Sequence, residues 1–118
     1  MFKEVKVGDK IIPMRASGRT PLYYRQVFHK DILEAFSQEG NQISMAGENV
    51  PEVAYIMAMN GSDQDMSKLN EDTFGEWLEQ FEAMDLMMAG EDIFNVYLPN
   101  LTTTSKPKKK ASEKQSAS

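Results

Sequence analysis

The side chains able to do acid–base or ligand chemistry fall in three places: the single histidine, His29; the alternating run Asp63, Asp65 and Ser67; and Glu76, Glu79 and Glu82, spaced three apart. Nucleophilic catalysis needs a base beside the nucleophile. His29 is the only imidazole, and its neighbours Lys30 and Asp31 point elsewhere on a helical wheel, so it reads as a packed or partly exposed side chain. Asp63, Asp65 and Ser67 match the first ligands of a calcium loop, which also needs glycine at its sixth position and glutamate at its twelfth. Those positions hold Lys68 and Phe74, and the geometry fails. One histidine rules out a His-Glu-x-x-His zinc helix, and the chain has no glycine-rich phosphate loop. A row of acids on the polar side of an amphipathic helix is ordinarily a solvated face. If Glu76, Glu79 and Glu82 have a use, it is to meet a basic partner. The expectation is a protein that is not an enzyme and holds neither metal nor cofactor.

Composition narrows the setting. The 118 residues allow one domain with a modest core. A hydrophobic content of 41% with 26% charged residues is that of a soluble globular chain, and no window reaches the length of a membrane span. The charged, alternating N-terminus does not read as a signal peptide. Zero cysteines exclude disulfides and thiolate sites and fit a reducing cytoplasm. The net charge of −5 conceals a split: residues 48 to 92 carry twelve acids against Lys68, whereas residues 106 to 118 carry five lysines and one glutamate. An acidic body repels a polyanion, so no nucleic acid is expected on the folded domain; only the tail could hold one, weakly.

The elements that would position these residues follow from patterning. Phe2 to Val7 and Lys10 to Met14 alternate around Gly8-Asp9, which predicts a hairpin with a type II′ turn, its second strand at an edge because of Pro13. Thr20 as N-cap and Pro21 in the first turn start a helix. Its apolar arc holds Leu22, Tyr24, Phe28, Ile32, Leu33, Ala35 and Phe36, so the helix is expected to run to about Phe36 and stop before Gly40. Residues 39 to 50 read as a connection. A second helix from Pro51, apolar around nearly the whole wheel at Val53 to Met59, reads as central and stops at Asn60-Gly61. Thr73 and Glu76 have capping-box spacing, followed by a Phe74, Trp77, Leu78, Phe81 stripe on a third helix expected to end near Met84. A short fourth helix, Glu91 to Leu98, turns Ile93, Val96 and Tyr97 inward. The fold class is therefore mainly α: a helical domain of about four helices with an N-terminal hairpin over residues 1–98, then a disordered basic tail over 99–118.

Several residues stand out on this frame. Arg25 and His29 fall inside the apolar arc of the first helix, as a helix bend, a buried ion pair or a partner contact; the Arg25 stem can also lie along apolar surface with its guanidinium at the rim. Met84, Met87 and Met88 surround a weakly patterned junction, where methionine either fills gaps or forms an adaptable interface. The lysine cluster at residues 106–110 divides between a solubilising tail and an import-like signal.

Taken in order, the hairpin, the Thr-Pro start with Tyr24-Arg25-x-x-Phe28-x-Lys30-Asp31-Ile32, the apolar central helix, the Phe74-x-x-Trp77-Leu78 helix and the Asn-Leu-Thr-Thr-Thr-Ser ending with lysines resemble the small tail assembly chaperones of long, noncontractile-tailed phages and prophages of Gram-positive bacteria. The resemblance runs from about residue 2 to residue 110, and no single motif in it is diagnostic. It implies a factor that is not an enzyme. Such a factor binds the tape measure protein, keeps that long helical chain soluble, helps recruit major tail protein, and then leaves. It acts in the bacterial host cytoplasm and is not expected in the mature virion. The partner-binding candidates are Arg25, His29, Glu76, Trp77, Glu79, Glu82, Met84, Met87 and Met88, and whether the chain forms a homo-oligomer stays open. The family often has glycine where this chain has His29, so the first helix either bends there or runs straight. It also commonly makes a longer form by ribosomal frameshifting, for which Lys108-Lys109-Lys110 could be encoded by slippery adenines. The alternative is a structural tail or neck component, or a generic protein–protein adaptor, that remains in the virion.

Overall fold

The computed structural model describes residues 1–45 and 47–98. Strands β1 (Phe2–Val7) and β2 (Lys10–Arg15) form the expected antiparallel hairpin, pairing Val5 with Ile12 and Val7 with Lys10. Gly8 carries a φ of +63° and Asp9 a negative one, as a type II′ turn requires. Val5, Val7 and Met14 are buried, so one face of the ribbon closes the core. The Arg15 guanidinium donates to the Asn60 carbonyl at 2.7 Å and reaches Asp63 at 3.1 Å, tying the ribbon to the end of the central helix.

Helix α1 (Thr20–Phe28) is shorter than its apolar pattern implies. Arg19 occupies the N-cap; Thr20, expected there, is one residue inside, buried, with its hydroxyl accepting from the Ser17 N–H at 2.9 Å. The helix stops because His29 adopts the left-handed conformation, with φ +59° and ψ +35°, and its N–H closes onto the Arg25 carbonyl. The first helix thus bends at His29. Asp31 then accepts from the Leu33 N–H and caps a 3₁₀ turn, Ile32–Ala35. Ile32 and Ala35 are buried as their spacing predicts, but Leu22 and Leu33 are 67% and 71% exposed. Phe36 opens a strand instead of closing a helix.

That strand, β3 (Phe36–Glu39), pairs antiparallel with β4 (Gln42–Met45) around Gly40-Asn41. This second hairpin replaces the irregular connection expected after residue 39. After a 3₁₀ turn at Gly47–Asn49, α2 (Val50–Gly61) is the central element: Val53 to Ala58 are all buried. It packs against β2, α1 and every later helix. A Cβ at Gly61 would collide with the Pro13 carbonyl, so glycine there permits the close approach of α2 to β2.

The third predicted helix is two. Helix α3 (Glu71–Leu78) is capped by Asn70, whose side chain accepts from the Thr73 N–H while Thr73 accepts from the Asn70 N–H, each at 2.9 Å. The capping box is thus Asn70/Thr73, three residues before the Thr73/Glu76 pair that sequence suggested. Helix α4 (Ala83–Met88) follows, and α5 (Gly90–Tyr97) lies within a residue of expectation, with Ile93, Phe94 and Val96 buried. Among the described residues there are five α-helices and two hairpins: a small, largely helical domain with the N-terminal hairpin foreseen. None of these helices is long and apolar enough to cross a membrane. The disordered-tail expectation for residues 99–118 lies outside the described residues.

Candidate partner-binding groove

The chain leaving α2 builds one wall of a groove. The Ser62 hydroxyl donates back to the Ala58 carbonyl at 2.9 Å, and Asp63 takes a φ of +59° to reverse the chain. Asp65 accepts from the Ser67 N–H at 3.1 Å and from its hydroxyl at 2.6 Å, capping a 3₁₀ turn at Met66–Lys68. These bonds hold the Asp65 carboxyl below the usual range and keep it charged. Met66 is buried under the turn, and Gln26 of α1 donates to its carbonyl at 2.6 Å. The calcium-like run is therefore a capped turn.

Helix α3 supplies the other wall. Its Phe74, Trp77 and Leu78 are all half-buried, and no residue of α3 is fully covered. A series of ring contacts lays it on the core: Tyr24 to Phe28 at 5.1 Å, Phe28 edge-on to Phe74 at 5.0 Å, Phe74 to Tyr55 at 5.3 Å, Tyr55 to Trp77 at 5.5 Å, and Trp77 to Phe81 at 4.8 Å. Each such pair contributes about 0.5–1.5 kcal/mol beyond its buried area. Tyr55, wholly buried, also holds its hydroxyl 2.6 Å from Thr73 Oγ1. Thr73 donates to the Asn70 carbonyl at 2.9 Å, leaving its lone pairs for Tyr55 and the Asn70 N–H. Burial raises the Tyr55 hydroxyl above its ordinary value, and the Glu76 charge adds to this against the lowering effect of Thr73.

Between these walls lies a cavity of about 460 Å³. Tyr55, Met59, Leu69 and Trp77 give it apolar lining; Gln64, Asp65, Thr73 and Glu76 add polar groups, and Lys68 is its one base. An open cleft with rings and thioether inside and carboxylates around it suits an apolar side chain flanked by cations. It offers no paired acid and base positioned for bond chemistry. No group of three or more acids and histidines among the described residues could hold a metal ion.

The structure distributes the sequence-predicted residues over several places. Trp77 and Glu76 line this groove. Glu79 is exposed at the C-cap of α3, and Glu82, the N-cap of α4, lines a more polar cleft of about 390 Å³ with Val7, Lys10 and Asp85. Met87 lines a third cavity, of about 410 Å³, with Ile43, Met45, Val50 and Phe94, while Met84 and Met88 stand 65% and 79% exposed. Arg25 and His29 are exposed, not set in an apolar arc, because the helix that would have turned them inward ends at Phe28.

Sequence reasoning missed the pair that joins α1 to α2. The Tyr24 hydroxyl donates to Glu52 Oε1 at 2.6 Å, and Lys30 Nζ sits 3.2 Å from the same oxygen. Burial, reinforced by Glu52, drives the Tyr24 hydroxyl far above its ordinary 10.0. Lys30 lies just past the left-handed residue and so leaves the wheel position that sequence assigned it. Tyr55, Met59 and Leu69 were also missed as groove residues; Tyr55 and Met59 were legible as apolar positions of a central helix, but nothing local marks them as open to a cleft.

Comparison of the chain with protein-family models, with curated proteins and with solved structures gives no significant match.

Proposed function

We propose that the protein is a phage tail assembly chaperone, which captures helical segments of the tape measure protein, keeps them soluble and helps bring major tail protein to them. The reading rests on the residue pattern described above and on one structural observation: an open groove with Tyr55, Met59, Leu69 and Trp77 in its lining and Asp65 and Glu76 beside them. An amphipathic helix presents apolar residues at i, i+3, i+4 and i+7 and binds by laying them in such a cleft. The acidic 59–82 stretch, with seven carboxylates against Lys68, steers basic client surfaces and discourages self-association. Rim charges act mainly on encounter, which suits a factor that must depart. Met87 and the exposed Met84 and Met88 offer a second, more adaptable surface, suited to major tail protein.

Co-expression with the tape measure protein tests this. The client is expected to stay soluble with the chaperone and to precipitate without it, and Trp77→Ala is expected to weaken capture about tenfold, as loss of an aromatic anchor does. Raising the salt concentration should weaken capture further. A client equally insoluble with and without the chain would refute the proposal. Purified virions should lack the protein by mass spectrometry; finding it there would favour a structural tail component.

A further inference from the structure

We propose that in the free protein this same groove is occupied by the chain's own lysine-rich segment, Lys-Pro-Lys-Lys-Lys at residues 106–110, so that the protein carries a competitor for its own site. The idea rests on the client-groove reading only for its consequence; the docking itself needs no client. Three observations carry it.

First, the chemistry matches. An ammonium is attracted to the face of an aromatic ring, tryptophan most of all, and a proline-containing segment is already close to the extended helix that aromatic-lined grooves accept. The groove presents Tyr55 and Trp77 with the carboxylates of Asp65 and Glu76 alongside. Lys68, at the turn, repels further cations, which sets the lysines toward the Glu76 wall.

Second, the charges are complementary. Residues 59–82 carry seven acids against one lysine, and residues 106–118 carry five lysines against one glutamate. Each exposed pair is weak and screened by salt. Tethering makes their sum effective, because a segment joined to its site by a short linker acts at a millimolar local concentration.

Third, the linker is long enough. From Leu98, just past α5, eight residues lead to Lys106 and can span about 26 Å when extended. Helix α5 packs on α2, which at twelve residues is about 18 Å long. The groove lies against the second half of α2, at Tyr55 and Met59.

Trp77 is the only tryptophan and lines the groove, so its emission reports occupancy directly. The test compares the full chain with a full-length variant carrying Lys106→Gln, Lys108→Gln, Lys109→Gln and Lys110→Gln, using acrylamide as a neutral quencher. At low salt, Trp77 of the unaltered chain should be quenched about twofold less than that of the variant, as partial occupancy by a tethered segment gives. The difference should vanish near 1 M salt, where the screening length is about 3 Å. A synthetic peptide of residues 99–118, which contains no aromatic residue, should restore protection when added to the variant. Equal quenching of the two proteins at low salt, or a difference that survives high salt, would overturn the proposal. A quenching difference in a protein that captures no tape measure protein would leave self-docking standing and remove the client reading instead.

Discussion

Two surfaces flank the central helix α2, and they are built on different chemistry. On the α3 side, rings meet rings from Tyr24 to Phe81, and the buried Tyr55 hydroxyl is fixed by Thr73 within the α3 capping box. On the α4 side, the large apolar groups are thioethers: Met84 and Met88 stand in solvent, and Met87 reaches over Gly47, where a Cβ would lie 2.8 Å from its Cε. The comparison teaches that exposed apolar area alone does not define a binding surface. Stiff rings with two torsions preserve a shaped cleft between encounters, whereas unbranched methionines conform to what they meet. The first arrangement suits selection of a side-chain pattern, and the second suits contact with varied partners.

The largest expected break between the two sides is in stability. Tyr55→Ala removes a wholly buried ring, its three-way packing with Phe74 and Trp77, and the bond to Thr73, and should cost about 3–5 kcal/mol in urea unfolding. Met88→Ala, at 79% exposure, should stay within about 0.5 kcal/mol. Comparable losses would mean that α4 is as firmly seated as α3.

Alkaline pH sharpens the contrast next. Burial raises the hydroxyls of Tyr24, Tyr55 and Tyr97 above 10.0, so their folded forms favour the neutral phenol. The stability this brings is complete below pH 10.0 and is lost as pH rises from there through the higher folded values. Thermal unfolding should therefore be flat in these groups near neutrality and fall above pH 10. Tyr24→Phe should flatten that fall more than Tyr97→Phe, because Tyr24 also faces the Glu52 carboxylate at 2.6 Å. Equal flattening would place the two phenols in equivalent surroundings.

The smallest effect is expected at the bend between the two sides. His29 holds a φ of +59° that costs a side chain about 1 kcal/mol relative to glycine. His29→Gly relieves this but loosens the unfolded chain, so a net gain of about 0.5 kcal/mol in urea unfolding is expected. A loss would show that the imidazole makes a contact worth more than the strain.

How much of this was legible varies by segment. The first hairpin could be read in full, because Gly8-Asp9 fixes its turn and strict alternation fixes which face is buried. Helix α2 was equally clear from its apolar wheel, and Trp77 and Glu76 were singled out as a partner contact that the structure sets in one groove. The segment from His29 to Met45 was misread. Phe28, Ile32, Ala35 and Phe36 do keep helical spacing, yet a helix end, a 3₁₀ turn and a strand bring them inward just as well. Local sequence gives no glycine to announce the left-handed turn, and the polar second hairpin has only Phe36, Ile43 and Met45 to anchor it. What holds it is distant: Phe36 stacks on Tyr97 at 5.4 Å and meets Phe94 at 6.0 Å.

By itself, then, the sequence determined the turns that glycine and proline dictate, the helix that must be central because every side of it is apolar, and the opposition of an acidic body to a basic tail. Those properties depend on backbone sterics, transfer free energy and charge, which neighbours in the chain already express. Tertiary structure alone decided where α1 stops, which rings wall the groove, and that Arg25 and His29 face solvent. These depend on contacts between residues far apart in sequence, such as Tyr24 with Glu52 or Tyr55 with Thr73 and Trp77, and a periodic pattern is indifferent to whether one helix or three short elements satisfy it.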